Sequence, residues 1–157
     1  MHRLLVLTLL GLSAVALAGA PVKGKGGAAK DAAKYIQVFR EKDLDAMDGA
    51  IASLAALGPA VVPELVKALG DPLPMVRSQV AAVATKLGPA AKACVPALTK
   101  GVTDADADVR WNSANALGAI GKASAPALSA LETMTKDPLP PLADAARDAI
   151  AKIKAAQ

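Results

Sequence analysis

Residues 88–121 read GPAAKACVPALTKGVTDADADVRWNSANALGAIG, and their landmarks recur along the chain at a fixed spacing. Val109-Arg110 repeats Val76-Arg77 at a distance of 33, and Asp104 lies 33 from both Asp71-Pro72 and Asp137-Pro138. Leu65, Leu98 and Leu131 keep that spacing, as do Leu87, Ile120 and Ile153, and Gly88 and Gly121. Gly58-Pro59 precedes Gly88-Pro89 by only 30, so the first unit is shorter in its opening turn. A fixed period of this length marks an array in which each unit buries its apolar face only against its neighbours.

Each unit reads as two helices. The first starts near proline and carries leucine, as in PAVVPELVKAL, AAKACVPALTKGV and SAPALSALETM. A break at GDPLP, TDADA or KDPLP follows, and then a second helix with Asp or Pro in its first turn: MVRSQVAAVATKL, DVRWNSANALGAI, PLADAARDAIAKI. Gly70, Gly88 and Gly121 suit helix ends that need a left-handed residue. The leading segment differs. Residues 31–41 form a helix with Tyr35 and Phe39 on one stripe, and residues 44–57 a second with Leu44, Met47, Ile51 and Leu54 as its apolar face. This pair caps the open end of the stack with bulkier side chains. No alternating strand pattern appears. The expected fold is all-α: a short right-handed α-α superhelix, a solenoid of about three and a half helix pairs, which the resemblance described below makes armadillo/HEAT-like. Its domain spans residues 31–157, with the cap pair over 31–57 and repeats over 58–87, 88–120 and 121–153.

The segment ahead of the array reads as a targeting sequence. A basic start, MHR, is followed by the apolar run of residues 4–18 and then by small residues. As a helix that run would span roughly 22 Å, short of the ~30 Å hydrocarbon core, so the expectation is a cleaved signal peptide over 1–18 and a secreted or periplasmic product. Membrane contact is then confined to the signal segment before cleavage. Cleavage after Ala18 is preferred over Ala20 because Pro21 follows the latter. Residues 19–30, GAPVKGKGGAAK, lack apolar periodicity and read as a flexible tail made basic by Lys23, Lys25 and Lys30, with Lys34 just beyond.

At this point the residues resemble a known family. The pattern of a Pro-x-Leu helix, an Asp-rich turn and Val-Arg-x-x-Ala-Ala-x-Ala-Leu-Gly-x-Ile-Gly is similar to the HEAT repeat, in its phycobilisome-lyase HEAT-like subtype, over about residues 43–153. The resemblance implies a protein-binding scaffold. It also implies a ladder between neighbouring units, formed by Asp71, Asp104 and Asp137 with Arg77 and Arg110. Ala143 stands where the third Arg would be, with Arg147 one turn later.

The enzymes that share this repeat type lack their parts here. His2, the only histidine, leaves with the signal segment, so neither the His-Glu di-iron site of the deoxyhypusine hydroxylases nor a histidine base for nucleophilic catalysis is expected. One cysteine, Cys94, cannot build a zinc site or an internal disulfide, and it reads as a small buried hydrophobe. A bilin pocket of the lyases calls for more aromatic residues than one Trp, one Tyr and one Phe. The spacing of Asp104, Asp106 and Asp108 suggests a calcium loop, but Val109 stands where glycine is required. Neither metal nor cofactor is expected. Nucleic acid is disfavoured by Asp144 and Asp148 on the face that would need to be basic.

The partner surface is expected on the second helices. Positions two and six after the first core residue project away from the core. They are Ser78 and Ala82, Trp111 and Asn115, and Asp144 and Asp148, with Gln79 and Asn112 beside them. Trp111, the single tryptophan, is the expected anchor for a protein or peptide partner; the alternative is that its ring folds down over the next helix as a packing residue. The alternatives are an accessory subunit held at an anionic envelope surface by the basic tail, and a protein related to the HEAT-like lyases.

Overall fold

The computed structural model describes residues 25–156, so the signal segment and the start of the tail lie outside the described residues. Helices α1 (Lys25–Glu41) and α2 (Leu44–Ala56) form the first pair. Three more pairs follow: α3 (Val62–Ala68) with α4 (Pro74–Leu87), α5 (Val95–Gly101) with α6 (Ala107–Ile120), and α7 (Leu128–Met134) with α8 (Pro140–Ala155). The second helices stack in one row, α2 on α4, α4 on α6 and α6 on α8. The result is an all-α solenoid, with no strand among the described residues.

The first helix of each repeat is shorter than the sequence pattern suggests. Segments Gly58–Val61, Gly88–Cys94 and Gly121–Ala127 are 3₁₀, and only then does α-helix begin. Proline explains much of this. Pro59 and Pro89 open the first two segments, and Pro63 and Pro96 sit at the second position of α3 and α5. A proline has no N–H for an i→i−4 bond, so a tighter turn is tolerated just ahead of it. Gly58, Gly88 and Gly121 have φ of +64°, +55° and +72°, and at these points the chain leaves the second helix of one unit for the first helix of the next. Only glycine adopts that backbone without strain. Gly70 does not share it; the one other residue at positive φ among the described residues is Lys42, between α1 and α2.

Register positions 33 apart become the core. Leu65, Leu98 and Leu131 are fully buried, one per first helix, and so are Val61, Cys94 and Ala127. Cys94 therefore holds a repeat core position. Burial pushes its thiol up to about 11, which leaves almost no thiolate at neutral pH. Native protein is expected to resist a thiol-reactive dye until it is unfolded, and Cys94→Val, which copies Val61, to change the melting temperature by only a few degrees. Rapid labelling of folded protein would contradict this placement.

The N-terminal pair departs from expectation twice. Residues 25–30, read as part of a flexible tail, are helical, and Ala28 is buried. Ala28, Ala32, Ile36 and Phe39 are all buried at spacings of four, four and three, so Ala28, within the segment read as tail, extends the inner stripe of α1 by one turn. Leu44, assigned to the apolar face of α2, is 72% exposed. It is the first residue of that helix, directly after the Asp43 cap that accepts from the Ala46 N–H, and only Met47, Ala50, Ile51 and Leu54 turn inward. Among the described residues no single helix is long and apolar enough to cross a membrane.

Arginine–aspartate pairs tie the units together. Arg77 on α4 donates from Nε and Nη2 to the two carboxylate oxygens of Asp104, at 2.9 and 2.8 Å. Its Nη1 donates to the backbone carbonyls of Asp71 and Pro72 in its own turn. Arg110 on α6 does likewise through a single bond, Nε to Asp137 Oδ2 at 2.9 Å, with Nη1 donating to the carbonyls of Asp104 and Ala105. Each aspartate also accepts a backbone N–H two residues on, from Leu73, Asp106 or Leu139. One side chain thus folds its own turn and accepts from the preceding unit. A further member was not visible in the repeat pattern: Arg40 on α1 pairs with Asp71 at 2.8 Å. It lies 37 residues before Arg77, outside the 33 register, because α1 packs directly against α3 and α4. Arg147 pairs with Asp144 on its own helix and reaches the Thr135 carbonyl at 3.4 Å.

Candidate partner-binding surface

Helices α4 and α6 lie side by side, and their first turns enclose a depression of about 290 Å³ lined by Met75, Ser78, Gln79, Asp106, Asp108, Trp111 and Asn112. Four of the residues selected from the sequence therefore meet in one place. Trp111 is 45% exposed. Asn112 donates from Nδ2 to Ser78 Oγ at 2.8 Å, which fixes its amide between the two helices. Gln79 Nε2 sits 3.5 Å from Met75 Sδ.

The two rows expected across the units are not continuous. Ser78 was placed facing solvent, yet it is 3% exposed. The cause is the offset between neighbouring second helices, by which Asn112 of α6 folds over Ser78 of α4. The α8 residue in the register of Asn112 is Ala145, and a methyl group cannot cover an indole. Trp111 stays half-open while its counterpart one unit earlier is closed. Asn115 is half-buried and does not line the depression. Asp144 and Asp148 are exposed on α8, with Asp144 engaged by Arg147.

Three lining residues escaped the sequence reading. Met75 is one residue before the core position Val76, and its backbone register is that of Asp108. Both sit in the first turn of a second helix, where the repeat pattern predicts solvent. The spacing of Asp106 and Asp108 suggests calcium ligands. Instead Asp106 caps α6 by accepting the Val109 N–H at 3.1 Å, and both oxygens of Asp104 are taken by Arg77, with one shared by the Asp106 N–H. Capping with Asp at a helix N-terminus is favourable in its own right.

The chemistry offered is that of recognition. A half-open indole provides a large rigid contact with little entropy to lose, and amide and carboxylate groups surround it. Residues 81–151 match the family model described as HEAT repeats. No curated protein matches the chain. HEAT repeats commonly serve as scaffolds for protein–protein interaction.

Proposed function

We propose that this chain is an exported, non-catalytic scaffold that binds a protein or peptide partner on the face of its second helices, with Trp111 as the anchor. The observation that carries this reading is the half-exposed Trp111 over the depression between α4 and α6, with Gln79 and Asn112 beside it. Large aromatic residues of this kind dominate the energy of protein interfaces. Export rests on the basic start, the apolar run of residues 4–18 and the small residues that follow.

Affinity purification from the envelope fraction with wild-type protein and with Trp111→Ala tests the reading. A specific partner should be retained at high salt by wild type, since salt screens association driven by the basic N-terminal segment alone. It should be lost with Trp111→Ala. The substitution should cost about 1 kcal/mol of stability, against about 3–5 kcal/mol for removing a fully buried tryptophan. Equal capture by both proteins, or a loss of stability in the upper range, would sink the proposed role of Trp111.

A further inference from the structure

The acidic residues of this chain keep away from one kind of place. There is no Asp or Glu between Asp48 and Glu64, between Asp71 and Asp104, between Asp108 and Glu132, or in residues 149–157. The first three gaps each hold the end of a second helix and the 3₁₀ segment that follows it, and the last holds the end of α8. At these junctions stand Lys86, Lys92, Lys122, Lys152 and Lys154.

The fold lines the junctions up. Segment Gly58–Val61 packs on Gly88–Cys94, that segment on Gly121–Ala127, and Gly121–Ala127 on α8. A Cβ on Gly121 would lie 3.5 Å from Ala156 Cβ, and one on Gly118 would lie 3.4 Å from Lys152 Cδ, so the end of α8 belongs to the same row. All five lysines are exposed, and none pairs with a carboxylate among the described residues. Around Lys92 and Lys122 the exposed side chains are short: Pro89, Ala90, Ala93 and Ala123. One edge of the solenoid is therefore a lysine row without an acid, while the turns within units, at the opposite edge, carry the Arg–Asp pairs and the Asp43 and Asp106 caps. Helix dipoles account for Lys86, Lys152 and Lys154, in the last turns of α4 and α8. They do not account for Lys122, the second residue of Gly121–Ala127, because a cation is disfavoured at a helix start.

We infer that this edge docks the folded array on a membrane surface rich in anionic lipid. A plane of phosphate headgroups meets the whole row at once, since short side chains separate the lysines, and attraction to such a surface accumulates charge by charge. The junctions contain neither arginine nor an aromatic residue. Those are the groups that fork onto phosphates and stack on bases, so a lipid surface fits the edge better than nucleic acid does. The contact is distinct from the N-terminal tail. It also lies at the far ends of the second helices from Trp111, which is in the first half of α6, and does not depend on it.

The test is co-sedimentation of the full chain with vesicles of phosphatidylcholine alone and of phosphatidylcholine mixed with phosphatidylglycerol. The readout is the ratio of the two partition coefficients, in which any contribution from the apolar run of residues 4–18 cancels. A lysine held near an anionic surface is worth up to about fivefold, so the five should give wild type roughly a hundredfold preference for the anionic vesicles at about 0.1 M salt. The preference should vanish at about 1 M, where the screening length falls from about 10 Å to about 3 Å. Lys92→Gln with Lys122→Gln should lower it about tenfold without moving the melting temperature. Lys100→Gln with Lys136→Gln removes equal charge at the opposite edge, and that pair and Trp111→Ala should each leave the ratio within about twofold. No preference in wild type, or equal losses in the two lysine pairs, would overturn the assignment. So would a preference that survives Lys92→Gln with Lys122→Gln but is lost with Lys23→Gln and Lys25→Gln, which would place the contact in the tail. Retention on duplex DNA in place of vesicles, dependent on Lys92 and Lys122, would overturn it in favour of nucleic acid.

Discussion

Arg77→Ala is expected to lower stability by about 3 kcal/mol, near the low end of the cost of breaking a buried ion pair because the site retains some solvent access. Arg77 and Asp104 have side-chain exposures of 19% and 15%. The substitution removes two bonds to Asp104 and two to the Asp71–Pro72 turn, and it leaves the Asp104 carboxylate without its cation. A loss of this size corresponds to a fall of roughly 10 °C in melting temperature. Arg77→Lys should recover only part of it, because an ammonium cannot span both carboxylate oxygens and both carbonyls. Thermal melts of the three proteins decide the matter. A shift below about 1 kcal/mol for Arg77→Ala would show that the inter-unit pair contributes no more than a surface salt bridge.

The same pair dictates how stability responds to acid. Burial on its own would raise the Asp104 carboxyl, but hydrogen bonds from Arg77 and the Asp106 N–H, with the Arg77 and Arg110 charges, outweigh it and hold the carboxyl below its ordinary value of 3.8. Asp71 behaves alike: burial pushes up, and the Leu73 N–H with the Arg40 hydrogen bond and charge pull it down below 3.8. A carboxyl depressed in the folded state stabilises the fold above its unfolded pKa, and that stability disappears as pH falls through the folded value. The melting temperature should hold between neutrality and about pH 4 as far as these two groups are concerned, then drop. In Arg77→Ala the drop should be shallower, because the Asp104 share has already gone.

How far the sequence carries depends on what the 33 spacing encodes. Leu65, Leu98 and Leu131 occupy one geometric place because each side chain meets the same neighbours one unit along, so periodicity is a direct record of burial. Cys94 became interpretable for the same reason, as the counterpart of Val61 and Ala127. Periodicity is silent where the environment is not periodic. Arg40 and the buried face of α1 belong to a pair with no preceding helix pair among the described residues. Ser78 and Trp111 share a register position, yet one is closed and the other open. The identity of the covering residue on the next helix decides that, Asn112 in one case and Ala145 in the register of the other. The depression beside Trp111 is therefore a property of pairs of helices, and no single repeat announces it.

Gly101→Ala is the second change with a large expected effect, a loss of about 2 kcal/mol, within the range for overpacking a close contact. Alanine improves helix propensity, and at an exposed helical site it would be worth about 1 kcal/mol. Gly49, mid-helix in α2 with nothing within 4 Å of a new Cβ, is that site, so Gly49→Ala should stabilise. At Gly101 the new methyl would meet Ser113 Oγ at 2.2 Å, and rotation of the hydroxyl away still leaves Ser113 Cβ at 3.0 Å. Ser113→Ala alone should be neutral or mildly stabilising, because it removes a buried hydroxyl with no partner among the described residues. In the double variant the hydroxyl clash is gone and only the 3.0 Å contact remains, so more than half of the Gly101→Ala loss should return. That non-additivity is the signature of direct contact between α5 and α6 at this point. Additive effects of the two substitutions would mean that the contact relaxes freely around Gly101, and the close packing of these helices would not be what makes glycine necessary there.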